Sequence, residues 1–305
     1  MHKRKNIRLS IILLVLVSAV LLLEFNQGEA DHLGVDKKLF QLDANREINQ
    51  VVLEGPKETN QFDFRNGRWF LNDTLYLDQS MRDVFFSIVS QLQIRRPVLR
   101  TKADSVEQLL INEGVKTTIS FGDEQIQQYW IGGNRQQQVS WIMGEDRVPY
   151  QVHIPGYQSY VAGIFRVPAA DWRSRFLLDI NFALVKTIEI AYPEARPGLT
   201  LNFENNFFTI PGVQADSLKI ANFLESLSFL QAESFIAQPS VDELENEQPV
   251  ATLSIRLVNG DQVEIPFFED PQDEQFFLAR LADQSLAKTD RQAVTRLFKI
   301  PADFE

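Results

Sequence analysis

The alternation of apolar and polar residues predicts the same β-hairpin at two places in this chain. Phe62-Asp-Phe-Arg-Asn-Gly-Arg-Trp-Phe-Leu71 has a period of two around Asn66-Gly67, which is the strongest short-range hairpin signal. The pattern returns at Leu201-Asn-Phe-Glu-Asn-Asn-Phe-Phe-Thr-Ile210, with its apolar positions in register and Asn205-Asn206 at the turn. A repeat with so long a period indicates two copies of a domain-sized unit.

A helical period follows each hairpin. Apolar residues three or four apart predict one buried helix face, and the two sets align as Met81, Val84, Phe85 and Ile88 with Ile220, Phe223, Leu224 and Leu227. Asp78 or Ser80 is expected to cap the first helix, and the second is expected over 216–230. Both copies also end alike, at Phe165-Arg-Val-Pro-Ala169 and Phe298-Lys-Ile-Pro-Ala302.

The segments between these landmarks predict further strands and short helices. Strands are expected at 48–53, 116–121, 127–131, 139–143, 148–153, 185–190, 251–257 and 262–268. Helices are expected at 105–113, from Pro168 to Leu178 and at 290–298. Because strands and helices mix without strict alternation, the fold class is α+β, with two tandem, internally duplicated units of mostly antiparallel sheet.

The N-terminus has the pattern of an export signal. His2-Lys-Arg-Lys5 and Arg8 precede an apolar run from Leu9 to Leu23, which is typical of an uncleaved signal-anchor or a cleaved signal peptide. We expect the anchor, because small residues suited to cleavage do not follow the run directly. The positive flank then stays in the cytoplasm, which predicts a single-pass protein of the bacterial inner membrane with most of its chain in the periplasm.

The predicted organisation has five parts. They are a basic cytoplasmic N-terminus (1–8), a signal-anchor or transmembrane helix (9–25), a stalk (26–46), a first α+β repeat unit (47–180) and a second (181–305). A chain of 305 residues with 44% hydrophobic composition is long enough to bury two ordinary cores.

Composition excludes several classes of function. The chain has no cysteine, which removes disulfides, thiolate metal sites, cysteine nucleophiles and a lipoprotein anchor. Its formal net charge of −11 repels phosphate backbones, so nucleic acid is not an expected partner.

The titratable residues form no recognisable catalytic or metal motif. The histidines, His2, His32 and His153, lack the spacing of metal ligands. A serine-histidine pair would have to join Ser140 to His153, but the ordinary alternation of residues along strands explains the presence of both.

The acidic segments are also weak candidates. Glu269-Asp-Pro-Gln-Asp-Glu274 has oxygen ligands for calcium, yet it lacks the spacing and central glycine of a calcium-binding loop, which favours a solvated turn. Asp123 and Glu124, adjacent in a turn, should point apart. We therefore predict no catalytic residue, cofactor or metal, and no enzyme activity.

Aromatic residues on the predicted meander are the candidate site. Tyr129, Trp130 and Trp141 lie near one another there, with Tyr150 further along, and together they are the predicted docking or ligand surface. Trp130 and Trp141 would form a platform for a sugar or a protein if they shared the solvent face. Packing in the core or at a sheet edge is the competing explanation for the same residues.

Several short motifs resemble the bacterial domain of unknown function family 4340. They are Trp69 in the first hairpin, Ile131-Gly132, the hairpin end Val148-Pro-Tyr-Gln-Val152 and Arg173-Ser-Arg-Phe-Leu-Leu178. The resemblance covers most of residues 45–190 and continues more weakly to the end, where the second unit lacks the Trp-Ile-Gly-Gly sequence. It implies a membrane-anchored envelope accessory protein, of a kind often encoded beside ABC transporter permeases and gliding-motility-type auxiliary subunits. It transfers no catalytic residue.

The function predicted from the sequence is non-enzymatic. We expect an accessory or scaffold subunit of an ABC-type transporter, held near an integral-membrane or envelope protein by the N-terminal helix. One alternative is a periplasmic module that binds polysaccharide or peptide through the aromatic meander. The other is a hydrolase with an unrecognised site around His153.

Overall fold

The computed structural model describes residues 34–305 except 44, 123, 179, 194–195, 237–243 and 245–246. The predicted N-terminus, the anchor and residues 26–33 of the stalk lie outside the described residues, as do His2, His32 and Asp123. Within the described part, no helix is long and apolar enough to cross a membrane.

The first sheet and its helices come from the N-terminal half of the described chain. Its strands are β1 (Gln50–Glu54), β2 (Thr59–Arg65), β3 (Arg68–Leu71), β4 (Leu75–Tyr76), β5 (Gln93–Pro97), β6 (Val115–Phe121), β7 (Glu124–Asn134), β8 (Val139–Met143) and β9 (Pro149–His153). The helices are α1 (Gln79–Gln91), α2 (Arg100–Glu113), α3 (Ala169–Trp172) and a 3₁₀ helix at Val161–Arg166.

The second sheet follows a 3₁₀ helix at Phe182–Leu184. Its strands are β10 (Val185–Ala191), β11 (Leu199–Glu204), β12 (Phe207–Thr209), β13 (Ala232–Ile236), β14 (Ala251–Leu257), β15 (Gln262–Glu269), β16 (Phe276–Arg280) and β17 (Leu286–Asp290). The helices are α4 (Ser217–Ser228), α5 (Arg291–Thr295) and a closing 3₁₀ helix at Pro301–Phe304.

The predicted α+β class with mostly antiparallel sheet is confirmed. Every strand pair with a defined register is antiparallel. The sheet orders are β4-β3-β2-β1-β6-β7-β8-β9-β5 and β12-β11-β10-β14-β15-β16-β17-β13. Starting at β3 in the first sheet and at β12 in the second, the two orders correspond strand by strand. Each has a hairpin (β3-β2 or β12-β11), then the strand that precedes it in the chain, then a four-stranded meander. Each ends with the strand that follows α1 or α4 in the chain (β5 or β13).

The chain divides into two compact units that differ in their bounds from the predicted repeat units. Among the described residues, the first unit holds those from 34 to 67 and from 83 to 167, and the second holds those from 68 to 82 and from 168 to 305. In the described part of the predicted stalk, Phe40 and Leu42 are buried in the first unit, with 7% and 4% of their surface exposed.

Local sequence signals produced the expected turns. Asn66 and Gly67 have φ angles of 52° and 79°, and Asn205 and Asn206 have φ angles of 52° and 70°. Both predicted hairpin turns are therefore confirmed, and glycine and asparagine suit them because they adopt such angles at lower cost than most residues.

The helix faces correspond with a shift of one residue from the sequence alignment. Phe85 and Val89 are the fully buried residues of α1, and Phe223 and Leu227 are buried in α4. Val84, which the alignment placed opposite Phe223, is 47% exposed. One residue is therefore missing between the hairpin and the helix of the second copy.

The predicted helix from Pro168 to Leu178 was wrong beyond Trp172. Arg173 forms a β-bridge with Leu77, and the N–H of Leu177 donates to the carbonyl of Leu230. These partners hold the segment in an extended form, so its leucines pack without a helix. The helix expected at 290–298 is also shorter, because α5 spans only Arg291–Thr295.

Candidate functional site

Two of the four predicted aromatic residues share one face of the first sheet. Trp130 pairs with Met143, and Trp141 pairs with Gly132, so both tryptophans project to the same side of β7 and β8. Both are partly buried and pack against a buried cluster formed by Val106 and Leu110 of α2 and Met143 of β8. The helix therefore covers part of the face that a ligand would need.

Trp130 has a further neighbour on this face. The guanidinium of Arg147 lies 5.3 Å from the centre of its ring, and Arg147 also forms an ion pair of 3.5 Å with Glu107 of α2. A cation–π contact of this kind is worth about 0.5–1 kcal/mol at an exposed site. The side chain of Arg147 therefore lies over one face of the Trp130 ring.

Tyr129 and Tyr150 lie on the opposite face, in the core. Tyr129 is fully buried and Tyr150 is 7% exposed. Their ring centres lie 5.9 Å and 6.1 Å from that of Phe40. Burial raises the pKa of both tyrosines, and for Tyr150 the charge of Asp146 raises it further. The four aromatic residues therefore do not form one surface.

Ser140 and His153 belong to opposite faces of the meander. Ser140 pairs with Val152, so His153, the next residue, projects to the other side. The Ser140 hydroxyl accepts a hydrogen bond of 3.0 Å from the N–H of Ala162. His153 Nδ1 lies 3.3 Å from the carbonyl oxygen of Gln93. Each side chain thus has a local structural partner.

The acidic segment 269–274 is partly neutralised by two cations of its own unit. Lys288 Nζ lies 3.1 Å from Asp270 and 3.6 Å from Asp273, and Arg291 pairs with Glu269. The hydrogen bond to Asp270 and the nearby carboxylates raise the pKa of Lys288. Among the described residues, no group of three or more histidine, aspartate or glutamate side chains is arranged to hold a metal ion.

A cleft of about 200 Å³ in the second unit surrounds Arg173, and we call it the Arg173 cleft. Most of its walls are apolar, with Phe235, Val263, Ile265 and Leu281 among them. Tyr76 and Phe176 stand at the cleft with 37% and 44% of their surface exposed.

Arg173 itself is nearly buried and has both polar and aromatic partners. Its Nη1 lies 3.1 Å from Asp283 and donates to the Ser285 hydroxyl at 2.8 Å. Its guanidinium stacks 4.0 Å from the ring centre of Phe235. The side chain is only 12% exposed.

The charges of this pair offset each other. Burial lowers the pKa of Arg173, while Asp283 acts in the opposite direction. Burial acts to raise the pKa of Asp283, but hydrogen bonds from Ser285 and the charge of Arg173 bring it below its ordinary value. Both groups therefore stay ionised as a pair, and the cleft presents little net charge to a partner.

A second pocket, of about 240 Å³, lies in the first unit beside Asn60, and we call it the Asn60 pocket. Its walls include Leu53, Val115 and Phe165. Asn60 is 3% exposed, and its Nδ2 donates to the carbonyl of Val167 at 3.2 Å. No donor among the described residues reaches the buried Oδ1 atom of Asn60.

The sequence pattern did not identify Asn60 or Asp283. Arg173 was part of the family resemblance, but in a predicted helix, where its pairing with Asp283 could not be foreseen. A signal for Asn60 was present in the repeat, because Leu199 stands at the corresponding place of the second hairpin.

In comparisons with known proteins, no family model, no curated protein and no solved structure matches this chain.

Proposed function

We propose that this protein is a non-enzymatic, membrane-anchored envelope protein built from two duplicated α+β units. It acts as an accessory or scaffold subunit of an ABC-type transporter, as the resemblance to family 4340 implies. The matching strand orders of the two sheets support the duplication.

The anchor part of the proposal rests on the basic and apolar pattern of residues 1–25. An anchor of this kind confines a domain to the membrane surface and raises its effective concentration near membrane partners. Modest surface contacts then suffice for stable association.

The Arg173 cleft is the observation that carries the docking function. Its arginine is neutralised by Asp283, so the cleft does not select an anionic ligand. Its walls are mostly apolar, and the rings of Tyr76 and Phe176 are partly exposed at it. Interfaces favour aromatic residues in this setting, where a partner's apolar side chain can cover them. We therefore assign the cleft to an apolar segment of a membrane protein partner.

Site-specific crosslinking of the full-length protein in its native cells tests this assignment. A photo-reactive phenylalanine replaces Phe176 in one variant and Val258 in a control, because Val258 is 66% exposed but does not line the cleft. The crosslinked proteins are then identified by mass spectrometry, with an anchor-only protein as background.

We expect position 176 to crosslink an ABC permease or its auxiliary subunit, and position 258 to crosslink it much less. Recovery of the protein alone, or only of a second copy of it, would exclude the accessory function. Equal crosslinking at both positions would remove the Arg173 cleft as the docking surface.

The alternative, a polysaccharide- or peptide-binding module, rests on the shared face of Trp130 and Trp141. Saccharide stacking on either indole should quench tryptophan fluorescence. Lack of quenching across a panel of envelope glycans would eliminate the alternative. If quenching persisted in the double variant Trp130→Phe/Trp141→Phe, the glycan would bind at another site.

A further inference from the structure

One surface of the first unit is basic, although the chain as a whole is acidic. The complete chain has 41 aspartate and glutamate residues, yet none of them lies in the stretch 84–103. The end of this stretch carries four cations, Arg95, Arg96, Arg100 and Lys102. All four residues are exposed. We call these four residues the basic patch.

Local structure keeps the four cations close together. Arg95 and Arg96 lie on β5, where the register against β9 shifts, and β5 is the edge strand of its sheet. Arg100 begins α2 three residues after β5 ends, and Lys102 lies in the first turn of that helix. An edge strand and the start of the helix that follows it therefore place four positive charges along one short stretch of surface.

Carboxylates of the first unit offset little of this charge. Among the described residues, no ion pair involves a member of the basic patch. Arg96 donates instead to the amide oxygen of Gln151 at 2.9 Å. On α2, Glu107 is paired with Arg147. The nearest acidic residue along the chain is Asp104, in the second turn of α2. The basic patch therefore keeps most of its positive charge.

The stability of α2 does not explain these cations. The helix dipole favours acidic side chains at a helix N-terminus and disfavours basic ones. The first turn of α2 has no acidic residue and no side-chain cap at Leu99, but it contains Arg100 and Lys102. By contrast, Asp78 and Asp216 cap α1 and α4. A role outside the fold of the unit accounts for a helix that starts with two cations.

An exposed apolar side chain accompanies the basic patch. Leu99 lies between Arg96 and Arg100 in the chain and is 69% exposed. No large apolar side chain in the described part of the protein is more exposed. Val98, the residue before it, packs against the buried cluster at α2, whereas Leu99 does not. Cations around one exposed leucine suit an anionic membrane surface, because the cations attract headgroups while the apolar side chain enters the interface.

The chain enters the first unit next to the basic patch. The N–H of Ile94 donates to the carbonyl oxygen of Lys37 at 2.9 Å, so the stalk pairs with β5 directly before the patch. Asp36 and Lys38 flank this point with opposite charges. Lys37 follows Phe25, the last residue of the predicted anchor, by twelve residues. Because an extended chain spans at most about 3.6 Å per residue, the anchor holds this point within about 40 Å of the membrane.

We propose that the basic patch and Leu99 dock on the membrane that holds the anchor, where they bind anionic phospholipid headgroups. This inference rests on the anchor of the proposed function and adds a second contact between the first unit and the bilayer. The anchor keeps the patch near the headgroups, so a weak electrostatic attraction is sufficient. Each cation close to an anionic membrane surface favours docking about fivefold.

Quenching of a fluorophore on the full-length protein, reconstituted in vesicles, tests the proposal. Because the chain has no cysteine, Thr101→Cys creates a unique labelling site within the basic patch and leaves Leu99 in place. Asn112→Cys is the control label, since Asn112 is also exposed and lies about 16 Å further along α2. Nitroxide groups on the lipid headgroups then quench a fluorophore that lies at the membrane surface.

The expected result depends on the charge of the lipid. Position 101 should be quenched strongly on vesicles of phosphatidylcholine with phosphatidylglycerol and weakly on phosphatidylcholine alone. Position 112 should be quenched weakly on both. Salt at about 1 M should release position 101 from the anionic vesicles, because it shortens the range of the attraction to about 3 Å.

Substitutions separate the two parts of the surface. Arg95→Gln/Arg100→Gln should shift the docking equilibrium about twentyfold towards the free form, at about fivefold per cation. Leu99→Ser should reduce quenching at position 101 without changing its dependence on salt, because it removes only the apolar contact.

A matched variant controls for the loss of charge. Lys57→Gln/Arg166→Gln also removes two exposed cations of the first unit. Arg166 donates to the carbonyl of Glu113, the last residue of α2, and Lys57 lines the Asn60 pocket together with Arg166. Both positions thus lie towards the end of α2 that is opposite to the basic patch, and quenching at position 101 should be unchanged.

Three results would overturn the proposal. They are equal quenching of position 101 on neutral and anionic vesicles, full quenching in Arg95→Gln/Arg100→Gln, and equal loss of quenching in the matched variant. A photo-reactive residue at position 99 that captures an acidic protein instead of lipid in native cells would also overturn it, and would assign the basic patch to that protein.

Failure of this inference is distinguishable from failure of the proposed function. Retention of the protein on neutral vesicles after a high-salt wash reports on the anchor alone. Loss of retention would remove the anchor and, with it, the docked surface. Retention without quenching at position 101 would remove the docked surface only. Capture of the transporter is measured separately, because the basic patch and the Arg173 cleft lie in different units.

Discussion

The backbone N–H of Asp78 donates to the carbonyl oxygen of Trp172 at 2.8 Å, and Asp216 makes the same bond to Phe304 at 2.7 Å. Each aspartate also caps a helix, with its side chain accepting from the N–H of Met81 or Leu218. Trp172 and Phe304 are almost completely buried. One residue thus joins the start of a helix to the aromatic end of a repeat, once in each copy.

Asp78→Ala and Asp216→Ala should each lower the free energy of unfolding by about 1 kcal/mol, because each removes the side-chain acceptor of a helix N-terminus. Urea denaturation followed by circular dichroism measures the change. Asp→Asn at the same positions keeps an acceptor and should cost much less. If alanine and asparagine were equally destabilising, the caps would not be the cause.

Arg173→Met should destabilise the protein by about 2 kcal/mol, because it leaves Asp283 in the cleft without its counterion. The value is below that of a fully buried pair, since the Asp283 side chain is 30% exposed. The double variant Arg173→Met/Asp283→Leu should recover most of the loss in the same denaturation experiment. An additive loss in the double variant would contradict coupling between the two residues.

The Tyr192 hydroxyl should make stability depend on alkaline pH. Burial raises the pKa of Tyr192 from 10.0 to about 12. The charge of Arg196 acts to lower this pKa, and the charge of Asp303 acts to raise it. A raised pKa contributes stability in full below pH 10, and the contribution is lost as pH rises toward 12. The difference in unfolding free energy between wild type and Tyr192→Phe should therefore shrink across this range. A difference that stays constant would show that the hydroxyl is not protected.

Gly133→Ala should destabilise the protein by about 3 kcal/mol or more. A Cβ atom at this position would lie 2.1 Å from the carbonyl oxygen of Val139 and 2.9 Å from Cα of Ser140, both backbone atoms of the paired strand. Gly67→Ala is the matched control, because no atom lies within 4 Å of its added Cβ and only its φ of 79° is unfavourable. It should cost about 1 kcal/mol. Similar midpoints in thermal unfolding would contradict the steric account.

Elements with strong local signals were predictable from the sequence. The turns at Asn66-Gly67 and Asn205-Asn206, the strand Ala251–Leu257 and the cap at Asp78 follow from residue type and spacing alone. β5, β13, β16 and β17 were not predicted. For β5 and β13 the reason is that short mixed sequences such as Gln-Ile-Arg-Arg-Pro carry no clear period and become strands only by pairing with the last strand of each meander.

The candidate sites depend on long-range pairing that a single sequence does not reveal. The position of Asn60 in the core is set by its strand register with Leu53, which in turn pairs with Thr117. The charge of Arg173 is balanced by Asp283, which lies more than a hundred residues away in the sequence. Likewise Trp130 and Trp141 share a face as alternation allows, but α2 covers part of it through packing that the pattern could not specify.

The division of the chain has a consequence for the order of synthesis. Residues 68–82 belong to the second compact unit, yet they leave the ribosome before residues 83–167 of the first. The hydrogen bonds from Asp78 to Trp172 and from Ser174 to Tyr76 can form only after residues 83–174 have been translated. During this interval residues 68–82 are without their partners at 172 and 174, so this part of the second unit completes its contacts only after the first unit has been translated.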